Sequence, residues 1–398
     1  MVHTCPRFRI AVESEVPAYS DRMQAGRVMV TGVVCGAIAV GVLALSDGAV
    51  STEPVAKVVP STTVRFNPHV AAMVAGVSRR ELAPVVRVLS GEQSAVIGGR
   101  KYTFPAPRYS NSHVPGRWTA PIDRAEQYVY ERMKSYGLGS VRYQVFPGNG
   151  DPMDFPEGRN VVGQITGATR PSEIIVIGCH LDVMNDATWP RGSAPGADDN
   201  ASGCSAMLYV ARSLTRMRTA RTVRFIAFGA EENAPWTNGG NTVGSGFAAS
   251  RSRALGENIV GMVSADGLAY NSPGSAGAVV EMNVRSWAAD PGGRDHAIYS
   301  LWRSAIATYR ITGITPRKID VCADIRCGSY SSDNGSYWRW GRYPAALLVE
   351  EEWGVNHNPH WHTAGDRIST FDWPQYVAVT KSLVALTGHF AGVLGPVA

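Results

Sequence analysis

EIIVIGCHLDVMNDATWPRGSAPGADDNASG, residues Glu173 to Gly203, opens with an apolar run, Ile174 to Ile177, of the length that makes a buried parallel strand. The run ends in His180-Leu181-Asp182, crosses a Pro/Gly/Ser-rich loop, and reaches Gly196-Ala197-Asp198-Asp199-Asn200-Ala201-Ser202-Gly203. A helical pattern follows at once, with Met207, Val210, Ala211 and Leu214 on one face. A histidine and two adjacent aspartates therefore lie at the carboxyl end of a strand and just ahead of a helix. That edge of an open α/β sheet is where ligands and catalytic groups collect. Hard oxygen donors beside an imidazole suit zinc or a similar divalent ion.

The chain has 398 residues, 44% hydrophobic and 18% charged, with 42 Gly and 24 Pro, which describes a loop-rich globular protein able to bury a substantial core. Its formal charge of +5 is small and scattered, and no Lys/Arg-rich run with interleaved aromatics occurs, which argues against a nucleic-acid partner. Near the N-terminus, Val28 to Leu45 form an uncharged apolar run preceded by Arg22 and Arg27 and followed by small residues at Ala44-Leu45-Ser46. Residues 1–46 read as a cleavable leader that exports the protein, secreted or periplasmic, with Met23 as a more ordinary start. The alternative is an uncleaved anchor, since the run is just long enough to span a bilayer; once cleaved, the chain keeps no stable membrane insertion. Two of the six cysteines, Cys5 and Cys35, leave with that leader. Cys322 and Cys327 lie close together (VCADIRCG) and can bridge in an exported chain, whereas a zinc knuckle lacks a second Cys/His pair. Cys179 and Cys204 read as two small buried thiols.

Residues 47–105 read as a lead-in or propeptide-like segment, with a helix over Ser78 to Leu89 that Pro84 would kink or split. A domain over 106–398 follows. A helix begins at Asp123, clusters Ala125, Tyr128, Val129 and Met133, and stops at Gly137-Leu138-Gly139. Strands are expected at Val161–Ile165, Ile174–Ile177, Thr222–Phe228, Ile259–Ala265, Val279–Val284 and Ala345–Val349. Helices are expected at Ser205–Arg216, Asp295–Tyr309 and Pro374–Val393. This alternation calls for an α/β sheet with helices on both faces.

Several of the strands end in acids or histidine. Ile177 leads to His180 and Asp182, Phe228 to Glu231-Glu232, Ala265 to Asp266, and Val349 to a histidine-rich loop holding His357, His360 and His362. Carboxylates and imidazoles meeting at one sheet edge repel or stay poorly solvated unless a cation joins them. The adjacent glutamates point differently on a turn. One can bind metal while the other reaches an activated water, the division of labour that metal-assisted hydrolysis needs.

The segments CHLD (179–182), PGADDNASG (195–203), FGAEEN (228–233), SADG (264–267) and HTAGD (362–366) resemble, in order and spacing, the co-catalytic zinc aminopeptidases of the secreted bacterial leucyl aminopeptidase type. That superfamily is shared with glutamate carboxypeptidases, glutaminyl cyclases and the transferrin receptor. The resemblance implies a three-layer α/β/α sandwich around a central mixed, mostly parallel sheet. It implies two zinc ions per chain, His180 and Asp266 on one, Glu232 and His362 on the other, and Asp199 bridging them. Glu231 would be the general base, passing a water proton to the leaving amine. Asp182 would sit behind His180 and accept its other N–H. A cis peptide is implied at Asp199–Asn200, and peptides or proteins with a free N-terminus are the implied substrates.

The Cys322/Cys327 loop resembles the short disulfide loop beside the pocket of the secreted members. Two departures stand out: Ser332-Asp333-Asn334 replaces the family's Ser-Asp-His, and a longer loop, NAPWTNGGNTVGS, follows the glutamates. Tyr337, Trp338, Trp340 and Trp353 are candidates for an apolar pocket, with core packing the role expected of most. The rival readings are a one-zinc glutaminyl cyclase, a carboxypeptidase gripping a substrate carboxylate with Arg317, Lys318 or Arg326, and a non-catalytic ectodomain. The last is disfavoured because all five ligands and Glu231 are present. Preferred side chain, native metal and oligomeric state are left open by the sequence.

Overall fold

The structure, a computed structural model, describes residues 64–397 apart from 105–107, 110–119, 149–156, 187–193, 233–241, 276, 322–331, 353 and 355. The leader, the Cys322/Cys327 pair, Arg326, Trp353 and most of the longer loop lie outside the described residues.

The described residues begin with α1 (Pro68–Ala75) and α2 (Arg79–Leu89), a small hairpin of β1 (Ala95–Ile97) and β2 (Arg100–Tyr102), and α3 (Pro121–Ser135). There follow β3 (Ser140–Phe146), β4 (Gly158–Ile165), β5 (Arg170–His180), α4 (Gly203–Leu214), β6 (Met217–Thr219) and β7 (Arg221–Phe228). Then come α5 (Val243–Ala254), β8 (Asn258–Ala265), β9 (Val279–Arg285), α6 (Arg294–Thr308), β10 (Thr315–Val321) and α7 (Asp333–Ser336). The chain closes with β11 (Ala345–Glu350), α8 (Trp373–Ala391) and β12 (Val393–Pro396).

Eight strands form one mixed sheet in the order β10-β9-β11-β8-β5-β7-β4-β3. At its centre β7, β5, β8 and β11 run parallel; on one side β4 and then β3 join antiparallel, and on the other β9 pairs antiparallel with β11 and parallel with the edge strand β10. The central strands are buried on both faces, which is why they read as continuous apolar runs rather than alternating ones. Along β5, Ile175 and Ile177 face one core together with Leu208, Trp302 and Leu386 of α4, α6 and α8. Ile174 and Val176 face a second core with Ala248 of α5 and the aromatic pair Tyr337 and Trp338. Helices thus cover both faces, giving the expected three layers. Each fully buried Ile or Val contributes about 1.5–3 kcal/mol of transfer free energy, and the double burial makes β5 the element hardest to displace. Among the described residues no helix is long and apolar enough to cross a membrane.

Three expectations change. First, α2 continues unbroken through Pro84, which sits on its exposed face. The carbonyl that loses its partner there can turn to water, while Leu82, Val85, Val86 and Leu89 stay anchored in the core. Second, the closing helix stops at Ala391, because Gly392 takes the left-handed conformation (φ 68°), and Val393 instead opens β12, paired with β6. Third, Cys179 and Cys204 are not separate thiols but a disulfide with a Cα–Cα distance of 5.3 Å. The first turn of α4 lands beside the end of β5, which brings Cys204 to Cys179. Spacing in sequence gives no hint of that proximity. A Cys179→Ala/Cys204→Ala double variant, which reopens a 25-residue separation, is expected to lose about 3 kcal/mol of stability, read as a lower denaturant midpoint.

Candidate metal centre

The carboxyl ends of the four parallel central strands lie side by side, and each carries chemistry. His180 is the last residue of β5, Asp266 follows β8, and Glu350 ends β11. Glu231 and Glu232 follow β7 after Ala230, whose φ of 55° makes the sharp turn that separates their side chains. Asp199 enters from the turn ahead of α4, and its peptide to Asn200 is cis. Asn200 fastens that turn to the sheet by donating to the Ala265 carbonyl (2.9 Å) and accepting from Gly203 N–H (2.9 Å). His362 arrives from the loop between β11 and α8 with φ 54°, a conformation a histidine adopts only when its surroundings enforce it. Its carbonyl accepts from Asp186 N–H at 3.1 Å, its Nδ1 lies 3.1 Å from Asp186 Oδ1, and its ring stacks on Trp361.

These side chains converge. His180 Nε2 is 3.0 Å from both Asp199 Oδ1 and Asp266 Oδ1. His362 Nε2 is 3.2 Å from Asp199 Oδ2 and 3.1 Å from Glu232 Oε2. Asp199 therefore stands between two imidazoles, each with one further carboxylate. Donor atoms of His180, Asp199 and Glu232 lie within 4.8 Å of one another. Glu231 is buried beside them, whereas His357 and His360 stay outside this cluster.

The electrostatics of the group favour a cation. Burial pushes Glu232 up to about 8 despite the nearby His362, and raises Glu231 well above the carboxylate range against the pull of His180. Burial alone would lower His362, but Glu232 and Asp199 outweigh it and hold the imidazole up to about 12. Asp199 is pressed in the opposite direction: burial opposes its charge, yet the hydrogen bonds of His180 and His362 keep it well below the usual range. Buried carboxylates in this density need positive charge from protons or from a metal. Glu232 Oε1 is buried and has no hydrogen-bond partner among the described residues, which suits it to bind a metal. Carboxylate oxygen plus imidazole nitrogen is also the donor chemistry of zinc. The residues fit the metal that the resemblance implies.

Around this cluster, other charged groups bind backbone. The resemblance assigned the Asp182 carboxylate to the second ring nitrogen of His180. That nitrogen is instead 3.2 Å from the Asp182 backbone carbonyl and 3.9 Å from its carboxylate. The carboxylate is turned toward Glu231 N–H and Glu232 N–H, both at 3.0 Å, and so fixes the turn that bears the two glutamates. Asp366 accepts from Asp198 N–H (2.7 Å) and Asp199 N–H (3.0 Å). Asp198 accepts from Leu268 and Ala269 N–H, both at 2.9 Å, and from the Asn358 amide. Ser332 donates to Asp266 Oδ2 at 2.8 Å.

Arg108 had no sequence signal. It is buried and donates to the carbonyls of Leu181 (2.8 Å), Pro195 (2.9 Å), Gly196 (3.1 Å) and Leu89. One guanidinium thus ties the loop after His180 to the loop before Asp199.

The cluster lies in a cavity of about 500 Å³ whose wall includes Met184, Leu347, Val349 and Trp361. Among the described residues lining it there is no Lys or Arg, but there are many carboxylates. Of the cations considered for a substrate carboxylate, Arg317 is engaged by Glu281 and Glu351, and Lys318 by Asp320 at 2.9 Å. Tyr337 and Trp338 pack in the core, and Trp340 is half exposed.

An α/β sheet with carboxylates and imidazoles gathered at the ends of its parallel strands has the architecture of a metal-dependent enzyme. Residues 160–387, more than half of the chain, match the model of Peptidase family M28, and the protein belongs to that family. Leucine aminopeptidase 1 of Trichophyton equinum is 28% identical over 240 residues, 58% of this chain and 58% of the relative. The chain thus spans well under two thirds of that curated relative's length. In fold it is similar to the LapA aminopeptidase of Legionella pneumophila (TM-score 0.60, 18% identity, 83% of this chain and 76% of that one). It is similar in the same way to the glutaminyl cyclase of Porphyromonas gingivalis (TM-score 0.58, 18% identity, 78% and 98%).

Arg108→Met leaves buried carbonyls without donors and removes a buried charge, and should cost about 3 kcal/mol or more. Arg108→Lys should recover part of that loss, with urea midpoints of the two variants providing the comparison.

Proposed function

We propose that this M28 peptidase is a two-zinc aminopeptidase, exported by residues 1–46, that removes N-terminal residues from peptides. The observation that carries the reading is the shared carboxylate: Asp199 sits between His180 and His362, each of which has a carboxylate of its own, Asp266 or Glu232. His180 and Asp266 would hold one zinc, His362 and Glu232 the other, and Asp199 both. Bound zinc supplies Lewis-acid polarisation of the scissile carbonyl and acidifies water.

The chain's own residues do the rest. Glu231 is the proton carrier: it is buried beside the donor set, and that burial raises its proton affinity well above a carboxylate's ordinary value. It takes a proton from water and delivers it to the leaving amine nitrogen. Asp182 positions it by holding the backbone of Glu231 and Glu232. An acidic cavity without Lys or Arg among its described lining residues favours a substrate's free ammonium over a free carboxylate, which sets an aminopeptidase above a carboxypeptidase.

In the purified mature protein we expect two zinc ions per chain and hydrolysis of leucine p-nitroanilide. Chelation should abolish that activity and lower the melting temperature, since the metals bind the folded state. Glu231→Ala should keep both metals and lose at least ~100-fold in kcat. One metal per chain, with cyclisation of an N-terminal glutamine peptide and no anilide hydrolysis, would replace this reading with the cyclase. A fully active Glu231→Ala would remove Glu231 from its role.

A further inference from the structure

Beyond the donor set, the cavity reaches a second ionic group on the polar edge of the sheet. In the pairing of β9 with its neighbours, Glu281 stands opposite both Val349 of β11 and Arg317 of β10, so these three form one row across the sheet. Paired residues project to the same face. Val349 and Leu347 line the cavity, and so does Glu351, two residues beyond Val349. The Arg317 guanidinium bridges two carboxylates: Nε is 3.1 Å from Glu281 Oε1, Nη2 also contacts that oxygen, and Nη2 is 2.6 Å from Glu351 Oε1. Glu351 is oriented further by Asn356 N–H at 3.1 Å.

The burial of the three groups is unequal. The Glu281 and Glu351 side chains are each 5% exposed, whereas Arg317 is 40% exposed and enters from the sheet's edge strand. Two buried carboxylates that share one cation are costly to leave without it. The cation itself is reachable and replaceable. Of the two acids Glu351 lines the cavity, so a lysine or arginine side chain there would meet a carboxylate that Arg317 already engages. With Arg317 present, the neighbouring wall of Met184, Leu347, Val349 and Trp361 is the surface a substrate side chain can use.

We propose that Arg317 sets the side-chain preference of this site. Its guanidinium neutralises Glu351, the wall carboxylate that a basic N-terminal residue would pair with, so the enzyme accepts uncharged side chains. Without it the same cavity accepts lysine or arginine. This rests on the aminopeptidase reading for its catalytic consequence, but the binding preference follows from the ion pairs alone.

The test compares wild type, Arg317→Met and Arg317→Lys as full-length, zinc-loaded proteins. One readout is the ratio of kcat/KM for lysine and leucine p-nitroanilide; the other is the ratio of L-lysinamide to L-leucinamide affinity by titration calorimetry. Arg317→Met should raise both ratios at least 10-fold, and Arg317→Lys should stay near wild type. Adding Glu351→Gln to Arg317→Met should cancel most of the gain. Equal losses on both substrates, with unchanged ratios in a folded Arg317→Met protein, would overturn the proposal. Should Arg317→Met fail to fold, Arg317→Gln takes its place: a several-fold rise in both lysine ratios supports the assignment, and unchanged ratios refute it. A wild type that hydrolyses neither anilide, beside an Arg317→Met protein that gains lysinamide affinity, sinks the aminopeptidase reading and leaves the role of Arg317 standing.

Discussion

One buried carboxylate facing two imidazoles is the constraint on which the site depends. Asp199 can meet both His180 and His362 only if the end of β5, the turn ahead of α4 and the loop after β11 arrive at one point. The parallel order β7-β5-β8-β11 brings the strand ends together, because parallel neighbours present their carboxyl termini on the same edge. The double burial of β5 then fixes where that edge lies. A sheet that let β5 slide by one residue would turn His180 to the opposite face and break the set.

A second tier of charge holds the loops. Asp182 grips the glutamate turn after β7, Asp366 grips the turn at Asp199, and Asp198 grips the residues after β8. In each case a carboxylate on one loop accepts backbone N–H groups of another, so every loop that delivers a donor is tied to a neighbour. Arg108 does the converse, offering N–H groups to carbonyls at both ends of the stretch between His180 and Asp199. Ties of this kind keep donor atoms in place before any ligand arrives, which is what a binding site built on loops otherwise lacks. They also explain the abundance of acids here. Some face the cavity, and others act as acceptors for amides that no strand or helix satisfies.

The central strands were legible because burial on both faces leaves an apolar run, and the acids after them were legible because each run ends abruptly in charge. The edge strands were not. Thr315 to Val321 (TPRKIDV) carries Arg317, Lys318 and Asp320 because β10 has a neighbour on one side only, and its side chains are only partly buried. Ser140 to Phe146, the strand at the other edge, gives no continuous apolar run for the same reason. Of the site, the convergence of His180, Asp199, Glu232, Asp266 and His362 followed from a pattern of strand ends together with a family resemblance. Arg108 left no trace, since its partners are carbonyls, which every residue has. The disulfide was invisible for a related reason: the distance between Cys179 and Cys204 is set by the path of a loop, and composition does not encode that path.

The fold by itself does not choose the chemistry. An aminopeptidase and a glutaminyl cyclase resemble this chain almost equally in backbone, with TM-scores of 0.60 and 0.58. At 18% identity each likeness speaks for architecture alone. The choice between the two reactions must come from side chains at the strand ends. A second metal needs a complete second set of donors around the shared carboxylate, and here Asp266 and Glu232 lie on opposite flanks of Asp199, each with its own histidine. A cavity whose described lining residues are rich in acids and include no Lys or Arg adds a place for an ammonium group. The weight of the functional reading therefore falls on these few residues, on a scaffold that would carry either reaction.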